Sequence, residues 1–100
     1  MLFFGKKTMR SRNTYRTKDG RADYRFSFER LPTGEWRAYI ESMPSYGSRD
    51  RSSHATHRLS DGTRKYVCWD RPLRTESQAP SVAALCADKT QEYIRYGHRF

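Results

Sequence analysis

Long apolar runs, cysteine pairs and glycine-rich loops are all scarce in this chain of 100 residues. Met1-Leu2-Phe3-Phe4 is too short for the apolar core of a signal peptide, and Gly5-Lys6-Lys7 ends it. No stretch approaches the ~20 apolar residues of a membrane span, so no membrane partner is expected and the cytoplasm is the expected compartment. Cys68 and Cys86 are too few for a disulfide framework, and their spacing matches no zinc pattern. Two free thiols suit a reducing cytosol, and a single disulfide between them stays open. There is no glycine-rich phosphate loop and no Ser–His–Asp order. No catalytic group, cofactor or metal is assigned.

Acidic residues are missing from the first eighteen positions, where Lys6, Lys7, Arg10, Arg12, Arg16 and Lys18 supply most of the net charge of +9. A surplus this one-sided concentrates anions around it, which makes polyanions the first partners to consider. Hydrophobic residues reach only 35 %, enough for one modest core in one domain. Seven Tyr, five Phe and two Trp make that core feasible, because each ring buries a large area.

Residues 1–21 read as a basic, mobile arm, polar and aperiodic from Gly5 onward. Residues 22–100 read as a single α+β domain. Tyr24, Phe26 and Phe28 alternate with Arg25, Ser27 and Glu29, which predicts a strand over 23–30 with one buried face. Leu31-Pro32-Thr33-Gly34 supplies a turn. A second strand over 35–43 follows, with Trp36, Ala38 and Ile40 opposed to Arg37, Tyr39 and Glu41. The stretch from Pro44 to Ser53 has the composition of a loop. A strand over 54–59, the Asp61-Gly62 turn signal and a strand over 64–70 come next. Val82, Leu85, Cys86, Lys89, Tyr93 and Tyr96 recur at helical spacing and predict a helix over 80–96, with Asp88, Glu92 and Arg95 on its far side. The expected architecture is a three- to four-stranded antiparallel sheet packed on one C-terminal helix, its other face open.

Arg25, Arg37, Tyr39, Arg58 and Arg64 are the candidates for that open face. Guanidinium groups fit phosphates and guanine edges in a two-pronged way, and Tyr39 between them suits a base or a sugar. A solvated face with cross-strand pairs to Glu29 and Glu41 is the competing reading. His54 and His57, three apart, would face opposite sides of a strand, which argues against a shared metal site. His54 with Glu35 or Glu41 would be the acid–base pair of a metal-independent ribonuclease, a minor reading.

Gly34-Glu35-Trp36-Arg37-Ala38-Tyr39-Ile40, Tyr66-Val67-Cys68-Trp69 and Thr75-Glu76-Ser77 before an alanine-rich helix resemble the three-stranded-sheet-plus-helix DNA-binding domains, of the AP2 type and of the arm-binding type of tyrosine integrases. The resemblance spans about residues 20 to 96. It implies a sheet that enters the major groove, with Arg25, Trp36, Arg37 and Tyr39 as contacts. Two partner classes follow: nucleic acid, duplex DNA foremost, for a non-enzymatic protein of a bacterial or phage mobile element; or an acidic protein surface, as for a phage inhibitor of a host defence nuclease.

Overall fold

The computed structural model describes residues 10–100, and at Arg10 and Ser11 the backbone alone. The expected arm before residue 10, with Lys6 and Lys7, lies outside the described residues, as does the Arg10 side chain.

Seven elements follow one another: β1 (Arg10–Arg16), β2 (Asp23–Arg30), β3 (Trp36–Ser42), a one-turn helix α1 (Ser53–Thr56), β4 (Arg58–Asp61), β5 (Arg64–Val67) and the long helix α2 (Gln78–Tyr96). The strands form one antiparallel sheet in the order β1-β2-β3-β5-β4, with α2 against one face. The α+β arrangement is the expected one, with five strands in place of three or four.

The additional strand comes from the expected arm. Residues 10–16 pair with β2 along their whole length, from Arg10 opposite Glu29 to Arg16 opposite Asp23. Hydrophobic alternation does not announce it: Arg12, Thr14 and Arg16 lie on the uncovered side, and on the helix side Asn13 is polar as well, which leaves Tyr15 as the apolar contact. Two tethers hold it from the helix side: the Tyr15 hydroxyl donates to Asp88 at 2.7 Å and the Lys18 backbone N–H to the same carboxylate at 2.9 Å. Asp88 therefore faces β1 and not the far side of the helix.

Alternation in β2 and β3 places Tyr24, Phe26, Phe28, Trp36 and Ala38 under α2, together with Val67 and Leu73. The helix meets these large rings with Ala79, Val82, Ala83, Cys86 and Ala87. Small side chains let the helix axis approach a sheet surface built of aromatics, and the two surfaces fill the space between them. The buried stripe is thus displaced from the expected one: Leu85, Lys89 and Tyr96 are exposed, while Thr90 and Gln91 are buried. Tyr46, Ala55 and Tyr93 form a second small cluster, and the Tyr93 hydroxyl donates to the Asp50 carbonyl at 2.8 Å, which fastens the 43–52 connection to α2.

Residues 53–56 are helical where a strand over 54–59 was expected. Ser52 caps the turn, its Oγ accepting from the Ala55 N–H at 3.3 Å, and the Asp50 carboxylate accepts from the Ser52 N–H at 2.9 Å. These local acceptors compete with a strand ladder. The strand begins at Arg58, after His57 in a left-handed conformation (φ 55°). β5 stops at Val67 instead of 70, and the Cys68 N–H turns to the His57 carbonyl at 2.8 Å. Gly97 (φ 80°) ends α2, and a Cβ there would stand 2.9 Å from the Arg49 guanidinium. Arg49 uses that space to donate to the Ile94 and Arg95 carbonyls at 3.3 and 3.4 Å, placing a positive charge at the helix C-terminus. No helix among the described residues is long and apolar enough to cross a membrane.

Candidate polyanion interface

The register decides which side chains share the uncovered face of the sheet. Directly opposed residues point the same way. Arg12 lies opposite Ser27, Thr14 opposite Arg25, Arg16 opposite Asp23, Arg37 opposite Glu29 and Tyr39 opposite Ser27. Tyr66 faces both Tyr39 and Leu59, and Arg64 faces Asp61. Arginines therefore run across the whole face, but they live in two different environments.

On the β3-β5-β4 side the arginines are consumed internally. Arg64 binds Glu29 in two-pronged fashion at 3.2 and 2.6 Å and reaches Glu41 at 3.3 Å. Its guanidinium carbon lies 3.7 Å from the centre of the Tyr39 ring. Arg37 donates to the Tyr39 hydroxyl at 3.2 Å and to Asp61 at 3.3 Å, and lies 4.1 Å from the Tyr66 ring centre. The Tyr39 hydroxyl donates to Asp61 at 2.9 Å. Tyr39 and Tyr66 meet edge to face at 5.7 Å. Tyr39 is only 2 % exposed, and burial first of all pushes its phenol pKa up, so it stays neutral. Each ring has a cation over one face, and each cation is bound to a carboxylate. Tyr39 is buried and Tyr66 is half-buried with Arg37 over one face, so Arg37, Tyr39 and Arg64, expected as contacts, are engaged with one another and with carboxylates.

On the β1-β2 side the guanidinium groups are available. Arg12 and Arg25 are exposed and make no ion pair among the described residues. They are diagonal neighbours in the register, Arg12 opposite Ser27 and Arg25 two residues before it, a placement that brings Cα atoms to roughly 7–8 Å. Both line an open groove of about 430 Å³ with Thr14 and Ser42, next to the irregularity where Arg25 pairs with Ser42 and Phe26 with Ile40. Glu41 on the same groove is the carboxylate that Arg64 holds. Arg16 is bound to Asp23 at 2.9 Å, although its side chain remains 61 % exposed. Lys18 and Arg21 are exposed in the turn that follows. Arg21 was not singled out in the sequence, because its role follows from the turn that brings it beside β1.

Two expected positions move elsewhere. Trp36 is 6 % exposed in the core beneath α2, which removes it as a contact. Arg58 lies opposite Val67, on the helix side, with its guanidinium 4.7 Å from the Tyr46 ring centre. Glu29 and Glu41 hold Arg64, as the competing reading of a face with cross-strand pairs expects; the acid that this reading does not name is Asp61, which holds Arg37. Asp61 and Arg64 are paired by the turn at Gly62, and that signal is readable once the hairpin is drawn.

His54 is exposed, and the His57 ring packs 4.5 Å from the Phe100 ring. Neither imidazole is hydrogen-bonded to Glu35 or Glu41 among the described residues. There, too, no group of three or more His, Cys, Asp or Glu side chains could hold a metal ion. Cys68 and Cys86 are both free, and burial pushes the Cys86 thiol up to about 12.

No protein-family model, curated protein or solved structure matches the chain. The sheet has five strands among the described residues, where the expected resemblance implied three.

Proposed function

We propose that this is a non-enzymatic, cytoplasmic nucleic-acid-binding protein that grips phosphates through the β1-β2 side of its open sheet face, with Arg12 and Arg25 at the centre and Lys18 and Arg21 in the turn after β1. The observation that carries this reading is the contrast in pairing: Arg12 and Arg25 are exposed beside a groove without a carboxylate partner, while Arg37 and Arg64 on the same sheet are neutralised. Phosphate contacts give affinity without sequence information. Tyr39 is buried and the half-buried Tyr66 has a guanidinium over one face, which disfavours base stacking on this surface. The reading is therefore one of backbone recognition with little sequence preference, duplex DNA being the first substrate to try. A source in a bacterial or phage mobile element fits a small basic protein of this kind.

Fluorescence anisotropy with labelled random duplex, single-stranded DNA and RNA tests the proposal. Binding should weaken steeply as salt rises, through release of counterions. Affinity that is flat across the salt range, or a strong preference for one sequence, refutes it.

The second reading, an acidic protein partner such as the target of an inhibitor, is favoured by the position of β1 at an edge of the sheet. An edge strand offers backbone groups to an incoming extended chain. Binding of acidic protein that survives nuclease treatment, with no affinity for nucleic acid, would select it.

A further inference from the structure

We infer that the groove between α2 and the end of β5 is a two-fold self-association surface, occupied by a second copy of this chain. It lies on the helix side of the sheet, away from the proposed phosphate surface. The groove, about 400 Å³, is lined by Cys68, Trp69, Leu85 and Phe100, with Asp70 and Lys89 also contributing. Trp69 and Leu85 are 41 % and 46 % exposed, two of the large apolar side chains that the fold leaves in water. Trp69 follows β5 and Leu85 projects from α2, so apolar surface rises from both walls of one depression. Apolar surface gathered this way marks an interaction site, whereas a scattered leucine would not.

Charge selects the occupant. Asp70 and Lys89 are exposed, carry opposite signs and form no ion pair among the described residues. A two-fold interface requires that if one residue meets another across the axis, the reverse contact also forms. A surface with one acid and one base beside an apolar centre meets that requirement with itself. Asp70 of each copy then meets Lys89 of the other, at two equivalent contacts, while Trp69 and Leu85 are withdrawn from water between them. The arrangement leaves Arg12 and Arg25 of both copies free, so the dimer would present two cationic surfaces.

Sedimentation equilibrium on nuclease-treated protein, from low micromolar to near-millimolar concentration, tests this. A reversible monomer–dimer equilibrium is expected, and Leu85→Glu should abolish it. Asp70→Lys and Lys89→Asp should each weaken association on the order of tenfold, because like charges then meet at both contacts. The combined Asp70→Lys/Lys89→Asp protein should regain most of the loss. All these positions are exposed, and circular dichroism checks that each variant is folded. Arg12→Ala/Arg25→Ala should dimerise normally, which separates this surface from the phosphate surface. A wild-type protein that stays monomeric throughout, or a combined variant no better than the single ones, overturns the inference.

Discussion

The two halves of the open sheet face contain the same residue types and put them to different uses. On the β3-β5-β4 half, Arg37 and Arg64 are each placed between a tyrosine ring and a carboxylate, and through Glu29 of β2 and Asp61 of β4 the network ties four strands together. On the β1-β2 half, Arg12 and Arg25 are exposed and form no ion pair among the described residues; Glu41, which shares their groove, is held by Arg64. An arginine's identity does not say whether it is a strut or a hand; its neighbours in the register do. The difference also has a cause in order along the chain. The first eighteen residues have no acid to offer, so whatever β1 brings to the sheet stays cationic unless β2 neutralises it, as Asp23 does for Arg16.

The comparison breaks most visibly at Arg64. Removing a partner from a fully buried ion pair costs roughly 3–5 kcal/mol. The Glu29 side chain is 9 % exposed and that of Arg64 38 %, so Arg64→Ala should lower stability by less, about 2 kcal/mol in urea unfolding. Affinity of the folded protein for duplex DNA should hardly change. A loss of binding without loss of stability would put Arg64 among the hands. Next comes Arg12→Ala/Arg25→Ala, for which affinity should fall about tenfold at low salt with an unchanged unfolding midpoint. Arg37→Ala removes a ring contact and hydrogen bonds to Tyr39 and Asp61 at a half-exposed site, and should destabilise by about 1 kcal/mol.

The smallest effect concerns how the β1-β2 turn is fixed. The Asp19 carboxylate accepts from the Thr17 hydroxyl, the Arg21 N–H and Arg95, and these hydrogen bonds, that from Thr17 foremost, hold its pKa at about 2 against an ordinary 3.8. A depressed carboxyl contributes stability that is complete above its unfolded value and is lost as pH falls through the folded one. Thermal melts should therefore show a decline between 3.8 and about 2 that Asp19→Asn flattens. Because Asp19 is exposed, the decline will be shallow, and an identical acid limb in wild type and variant would remove this tether from the account.

Strict alternation made β2 and β3 readable: Tyr24, Phe26 and Phe28 could only be one face of a strand, and the Leu31–Gly34 turn fixed the pairing. β1 is not readable, because Tyr15 is its one large apolar side chain and its partner is reached across a turn with no apolar residue before Ala22. α1 was missed for a related reason. Ser52 and Asp50 override the weak strand pattern of 54–59 by offering local acceptors. In α2 Val82, Cys86 and Tyr93 of the expected stripe are buried, but Leu85, Lys89 and Tyr96 are not, since a sheet already crowded with rings takes alanines opposite it. For the candidate site, the sequence shows the basic surplus at the chain start directly. Which arginines remain free required the cross-strand register, and with it the positions of Glu29, Glu41 and Asp61.

The most direct test is the salt dependence of duplex binding, measured as the slope of log affinity against log salt for the wild type, Arg12→Ala/Arg25→Ala and Arg37→Ala. Each phosphate contact contributes about 0.9 to that slope. The account predicts a slope shallower by about 2 in the double variant and unchanged in Arg37→Ala. Equal reductions in both, or a reduction in Arg37→Ala alone, would contradict the division of the sheet face into neutralised and available halves.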